Sequence, residues 1–358
     1  MSNDDRRQSP HDFDPDAAAQ PGTGVFGLPF TFEESGCVLV PAPFDATTSY
    51  GGGASAGPEA IRTASAQVDL FDLQFGRIYQ WGLFMEEQDE AMLAQSKQAR
   101  ALAAPIIEKG GAEDADAPVL EKVNRASEAM NRAVEANFER VLKAGKVPGL
   151  VGGDHSTPFG AIRACAAKAG PAGLGILHVD AHMDLRDAFE GFVWSHASIM
   201  FNVLERIPSV TRLVQVGIRD FGEGELNVMK GSNGRVVTHF DLDLFRRASR
   251  GESWQSTCEQ MIEPLPKDVY VSFDIDALDP SLCPNTGTPV PGGLSFNQAC
   301  VLLEVLARSG RRVIGFDLNE VCPAADGANE WDANVGARVL YKLCGMAWRA
   351  NGASKDWA

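Results

Sequence analysis

The sequence predicts an α/β fold, a mostly parallel central sheet with helices on both faces. Three observations predict it. Short, continuously apolar runs with β-branched residues recur from Gly36 onward, and longer helical segments alternate with them. Clusters of carboxylates and histidines follow several of these runs. Unbroken apolar runs suit strands buried on both faces of a parallel sheet, and alternation with helices supplies the covering layers. Open parallel sheets bind ligands outside the carboxyl ends of their strands, where these clusters fall.

In chain order, residues 1–25 are polar and rich in Asp, Ala, Gln and Pro. They are expected to form a flexible arm, ordered at most by a neighbouring subunit; His11 lies in it. A single domain is expected over 26–358, without internal repeats. The expected strands are "CVLVPAP" (37–43), "VPGLVGG" (147–153), "LGILHVD" (174–180), "RLVQVGI" (212–218), "RVVTHFD" (235–241), "VYVSFDID" (269–276) and "RVIGFDL" (312–318). Residues 108–118 read as a surface loop. A helix is expected over 124–145, with an apolar stripe at Ala133, Ala136, Phe138, Val141 and Leu142. Further helices are expected over 297–310, stopped by Gly310, and over 332–351.

Composition narrows the function. The net charge of −16 disfavours nucleic acid, whose phosphates need clustered Lys and Arg, and is compatible with a cationic substrate. The seven cysteines are scattered with no C-x-x-C pair, as in reduced proteins. The opening "MSNDDRRQSP" lacks an apolar core, so no signal peptide is expected. No apolar run approaches the roughly 18 residues of a membrane span. A soluble, cytoplasmic protein is expected.

Four strand ends carry the chemistry. "LVGGDHS" supplies Asp154 and His155; "HVDAHMD" supplies Asp180, His182 and Asp184; "SFDIDALDP" supplies Asp274, Asp276 and Asp279; "GFDLNEV" supplies Asp317 and Glu320. Side chains at i and i+2 of a strand share a face, so Asp274 and Asp276 are expected to face one cavity. Asp180, His182 and Asp184 do the same if the strand geometry continues. So many carboxylates repel one another and are costly to desolvate unless cations join them. A pair of divalent ions held by bridging carboxylates removes the difficulty.

"GGDHS", "DAHMD" and "SFDIDALDPSLCPNTGTPVPGG" resemble the three signature segments of the ureohydrolase superfamily: arginases, agmatinases and related guanidino hydrolases. The resemblance runs from Val38 to Ala347. It implies a three-layer α/β/α domain with a dinuclear centre, usually of manganese. Carried over by position, His155, Asp180, Asp184 and Asp274 hold one ion. Asp180, His182, Asp274 and Asp276 hold the other, and Asp180 and Asp274 bridge. It further implies that Glu320 orients the guanidinium and that His196, in "EGFVWSHASIM", delivers a proton to the leaving amine. Asp276 would also accept a hydrogen bond from the intermediate. His178 and His239 are read as structural.

Arginases grip their amino acid through a pattern like "SGNxHG" after the second signature, and "LRDAFEGFVWSHASIM" lacks it. Phe189, Phe192 and Trp194 crowd this loop; they either wall the pocket or pack into the core or a subunit contact. "GVFGLPFT", "TTSYGGGASAGPEAIRTASAQVDLFD" and "WGLFM" resemble the branch of guanidine and metformin hydrolases, which adds nickel to manganese as the metal. The expected activity is hydrolysis of a small guanidino compound, with agmatine as the alternative substrate. A non-catalytic subunit would lack ligands, and none is missing. A zinc deacetylase of related fold would carry adjacent histidines, and no such pair occurs. The resemblance implies a homo-oligomer, trimer or hexamer, or a hetero-oligomer with a related chain.

Overall fold

The fold is described from a computed structural model, covering residues 13–19, 22–325, 327 and 329–352. The strands are β1 (Cys37–Ala42), β2 (Leu83–Met85), β3 (Val147–Gly152), β4 (Leu174–Val179), β5 (Val210–Ile218), β6 (Val236–Phe240), β7 (Asp268–Asp274) and β8 (Arg312–Asn319). They form one eight-stranded sheet in the order β2-β1-β3-β8-β7-β4-β5-β6. Every ladder in it is parallel. β1, β4 and β7 are buried along their whole length, which is why their sequences run apolar without alternation. β2, three residues at the sheet edge, was not anticipated.

The helices are α1 (Gly57–Ser65), α2 (Glu90–Glu108), α3 (Ala117–Lys143), α4 (Phe159–Lys168), α5 (Ile199–Arg206), α6 (Glu223–Gly231), α7 (Asp241–Ser249), α8 (Trp254–Ile262), α9 (Phe296–Arg308) and α10 (Trp331–Ala350). Residues of α1, α8, α9 and α10 pack in one core with Leu39, Val151 and Phe316 of the sheet. Residues of α2, α3, α4 and α5 pack in the other, with Val38, Leu150 and Tyr270. Alternate strand residues thus serve opposite layers, giving the expected three-layer α/β/α arrangement.

The helix expected over 124–145 begins earlier, at Ala117, with Pro118 in its first turn. Its buried face runs through Val123, Ser127, Met130, Asn131, Val134, Phe138 and Val141. Phe138 and Val141 belong to the expected stripe, whereas Ala136 is exposed and Ala133 and Leu142 are half-buried. The polar Ser127 and Asn131 on the inner face obscured the true one. α9 opens with a capping box between Ser295 and Gln298, and Gly310 follows its end at φ +75°. Of the expected surface loop, residues 109–113 are mostly exposed, and helical structure resumes at Asp114.

Part of the expected arm is described: Phe13 sets its ring edge-on to Phe30 and Tyr79. The rest, including His11, lies outside the described residues. All seven cysteines are free and buried. Among the described residues no helix is long and apolar enough to cross a membrane.

Candidate metal centre

The chain runs from β3 to β4 across a gap that β8 and β7 fill, so β3, β8, β7 and β4 lie side by side at mid-sheet. Every site residue foreseen at a strand end lies in the last residues of, or just after, one of these four strands. A reversal of strand order opens a crevice at the carboxyl edge, and here the crevice is lined with acids.

Close packing places His155. A Cβ on Gly152 would fall 1.9 Å from Asn319 Oδ1, and one on Gly153 would fall 2.1 Å from the Phe44 carbonyl oxygen. Only glycines allow the chain to leave β3 this close to the end of β8 and to the segment after β1. Glu320 N then donates to Gly153 O at 2.8 Å, and His155 N donates to Glu320 Oε1 at 2.9 Å. Asp154 faces elsewhere: Oδ1 accepts from Ser156 and Oδ2 from Thr48.

The strand geometry does not continue into "DAHMD". β4 stops at Val179, and Asp184 adopts φ +55°, the left-handed region. Its carbonyl accepts from Met200 N and Phe201 N, and the reversal returns its carboxylate to His155. β7 likewise ends at Asp274, and Ile275–Ala277 forms a short 3-10 turn in which Asp274 Oδ1 accepts from Asp276 N at 2.8 Å. Turns at both strand ends, rather than the two-residue strand period, bring the acids together.

The six residues assigned as ligands by resemblance do converge. His155 Nδ1 lies 2.9 Å from Asp180 Oδ2, 3.1 Å from Asp274 Oδ2 and 3.3 Å from Asp184 Oδ2. It makes a directed hydrogen bond to none of them and aims between them. His182 Nδ1 lies 3.1 Å from Asp276 Oδ2 and 3.5 Å from Asp180 Oδ1. Asp180 therefore offers one oxygen to each histidine, as a bridge requires. Asp274 turns only Oδ2 toward His155, its Oδ1 being engaged by Asp276 N. Asp279 is an exposed turn cap that accepts from Ser281 N.

The electrostatics call for cations. Burial pulls His155 and His182 down, yet the neighbouring carboxylates hold both well above the usual imidazole range. Burial and the Asp180 charge raise Asp184 to about 6. Burial, then Asp276 and Asp180, push Asp274 well above the carboxylate range. Asp180 sits well below it, because His178, His155 and His182 outweigh its burial. Two imidazoles among these carboxylates fit a pair of divalent ions, manganese, nickel or cobalt.

Around this cluster a cavity of about 170 Å³ is lined by Ser49, His182, Asp184, Arg186, Phe189, His196, Ala197, Asp220, Phe221, Glu225 and Thr288. Glu320 adopts φ +63° and is 2% exposed. Its Oε2 has no hydrogen-bond partner. Burial, then Asp274 and Asp154, drive its carboxyl well above the usual range. His196 Nε2 accepts from Ser49 N at 3.3 Å, which places the proton on Nδ1, 3.7 Å from Glu320 Oε1. Burial and the neighbouring histidines push His196 down to about 3, so its ring is neutral.

Of the crowded loop, only Phe189 reaches the cavity. Phe192 packs with Ala103, Ile106 and Val123, and Trp194 packs on Phe159. Phe221 and Arg186 were missed; a loop aromatic and a loop arginine carry no periodic signal. His178, read as structural, stands 2.8 Å from Asp180 Oδ2 inside the cluster. His155 Nε2 meets Ser272 Oγ at 2.9 Å, and Ser272 donates to Asp317 Oδ1 at 3.0 Å. Ser272 was also missed, although a serine within an apolar strand needs a partner, and that need was legible.

Comparison with known proteins agrees. The sequence pattern of the Arginase family matches residues 35–345. The chain is 35% identical over 324 residues to an N(1)-aminopropylagmatine ureohydrolase of Thermus thermophilus, covering 90% of this chain and 94% of the relative. It is 31% identical over 314 residues to the proclavaminate amidinohydrolase of Streptomyces clavuligerus, covering 85% and 87%. The solved structure of the Streptomyces clavuligerus enzyme superposes with a TM-score of 0.68 over 94% of this chain and 100% of that one, at 24% identity. The chain belongs to the arginase family of the ureohydrolase superfamily, and it is a metal-dependent hydrolase that cleaves C–N bonds of guanidino compounds.

Proposed function

We propose that this ureohydrolase acts on a small guanidino compound. Free guanidine would give urea and ammonia; an N-alkylated guanidine or a biguanide such as metformin would give an amine and a urea-type product. The observation that carries this reading is Arg186 in the wall of the cavity, a cation facing the space a substrate would fill. Arg186 stacks on Phe189 with its guanidinium 4.6 Å from the ring centroid, and its Nε lies 3.5 Å from Glu225. A long substrate with a distal ammonium would bring a second cation against it. Phe189 and Phe221 suit a short alkylated cation.

Residues 26–358 are the catalytic domain in this reading. His155, Asp180, Asp184 and Asp274 would hold one ion, and Asp180, His182, Asp274 and Asp276 the other, with nickel or manganese as the metal. Divalent ions held there would supply a water acidified toward neutral pH as the nucleophile. Glu320 Oε2 is the free, buried acceptor for the guanidinium N–H groups, and such charge-assisted bonds are strong. Asp276 accepts from the amino group of the tetrahedral intermediate. His196, at the cavity wall beside Ser49 and Glu320, passes the proton released by the attacking water to the departing amine. The active assembly is a trimer or hexamer of this chain, or a hetero-oligomer with a related one.

Agmatine hydrolysis is the second reading. Asp220, an exposed acid lining the same cavity, favours it because it can receive a distal ammonium. The Thermus relative, an N(1)-aminopropylagmatine ureohydrolase, also points to an aminated substrate. The test loads the protein separately with nickel and manganese and supplies guanidine, methylguanidine, dimethylbiguanide, guanidinobutyrate and agmatine, measuring urea, ammonia and amine. The highest kcat/KM is expected on a small guanidine. Agmatine turned over well above the others would overturn the proposal, and a single bound zinc would overturn the dinuclear centre.

A further inference from the structure

His178 has no assigned role, yet it belongs to a group of four, with His155, Asp180 and Asp184, whose ligand atoms lie within 4.8 Å of one another. Its ring is fully buried, 5.2 Å from that of His155. Distance alone makes it a candidate third imidazole ligand. The hydrogen bonds around it decide otherwise.

His178 Nδ1 lies 3.1 Å from Gln215 Nε2, across the β4–β5 ladder in which the two residues are paired. Gln215 Nε2 also lies 2.7 Å from the Met183 carbonyl oxygen, and Gln215 Oε1 lies 2.9 Å from Thr238 Oγ1. A carbonyl oxygen only accepts, so the amide nitrogen must face Met183, and the carboxamide cannot be flipped. The second N–H of the same nitrogen then points at His178 Nδ1, which must accept. The ring proton therefore sits on Nε2, 2.8 Å from Asp180 Oδ2, and is donated to it.

We propose that His178 is a positioning residue: a hydrogen-bond donor that holds the carboxylate of Asp180, oriented in turn by Gln215 and Thr238. Nε2 spends its proton on Asp180 and has no lone pair for a metal ion. This proposal rests on the metal-centre reading above, in which Asp180 bridges. Asp180 needs such a hold, since its two oxygens serve opposite histidines and a small rotation of the carboxylate would break one contact. Outer hydrogen bonds of this kind typically carry about 10- to 100-fold in metal affinity or activity.

The experiment measures manganese affinity by chelator competition, with no turnover involved, for the wild type and for His178→Ala, His178→Gln and Gln215→Leu. A glutamine at 178 carries its amide nitrogen near the position of Nε2. It can donate a hydrogen bond, but an amide nitrogen is not a metal ligand. The expected result is a loss of about 10- to 100-fold for His178→Ala. Near-wild-type affinity is expected for His178→Gln, and a weakening for Gln215→Leu, whose His178 is free to change tautomer. Equal losses in the Ala and Gln variants would make His178 a ligand and overturn the proposal; so would unchanged affinity in His178→Ala. If His178→Ala does not fold, the Gln variant and Gln215→Leu still decide: wild-type affinity in Gln215→Leu, or a large loss in His178→Gln, overturns it. A wild-type chain binding fewer than two ions would instead fail the metal-centre reading, a different pattern.

Discussion

Glu320→Gln separates substrate anchoring from metal binding. In the wild type, Oε1 accepts from His155 N at 2.9 Å and Oε2 has no partner. The glutamine carbonyl can keep the contact to His155, while an NH₂ group replaces the free acceptor and faces the donors of a guanidinium. A hydrogen bond to a charged partner is worth about 1.5–3 kcal/mol. At about 1.4 kcal/mol per tenfold, kcat/KM should fall roughly 10- to 150-fold. Stability should move the other way. Burial, Asp274 and Asp154 make a charge at Glu320 costly, so removing it should raise the melting temperature of the chelated protein. The assay combines urea release from guanidine and methylguanidine, metal content by mass spectrometry, and melting with and without chelator. A kcat/KM within twofold of wild type would refute the anchoring role. Lost metal or a lower melting temperature would show that the carboxylate acts structurally.

Three further predictions follow from the same geometry. His196→Ala should lower kcat about 10²- to 10⁴-fold, the usual worth of a positioned proton-transfer group, while both metals stay bound; full turnover would remove His196 from the mechanism. Arg186→Met should raise kcat/KM for agmatine relative to methylguanidine by about tenfold or less, since a partly exposed, Glu225-paired cation is screened; an unchanged ratio would show that Arg186 does not select. In the chelated protein, Asp154, Asp184 and Asp317 are raised to about 6, mainly by burial. Groups raised in the folded state stabilise it below their unfolded pKa of about 4 and lose that contribution as pH climbs through 6, so the metal-free melting temperature should fall between pH 4 and 6. Apparent metal affinity should rise over the same interval, because the ligands must shed protons. A metal-free melting temperature that climbs would contradict the assignment.

The strands were legible because burial on both faces writes unbroken apolar runs, as in "LGILHVD" and "VYVSFDID". β2 escaped notice because three edge residues make no pattern. The face of α3 was partly misread because Ser127 and Asn131 point inward while Ala136 points out. In the site, residue types were legible and their geometry was not. The left-handed Asp184 and the turn at Ile275–Ala277 break the strand period at the point where it had been extended. The aromatic loop was ambiguous in sequence, and two of its three rings went to the core. His178 and Gln215 carried the clearest neglected signal, being polar groups inside apolar strands that must find partners when buried.

The order of strands has a consequence for how the protein comes into being. His155 and Glu320 meet across a separation of 165 residues, on strands that become neighbours only when the last one joins the sheet. Long-range parallel pairings of this kind close slowly, because loop entropy is lost before contacts repay it. The acids of β4 and β7 are therefore translated well before the chain that completes their surroundings. Metal capture is therefore expected at the end of folding, as a lock on a finished sheet. Withholding metal during refolding should leave the rate of sheet formation untouched and change only how firmly the product is held.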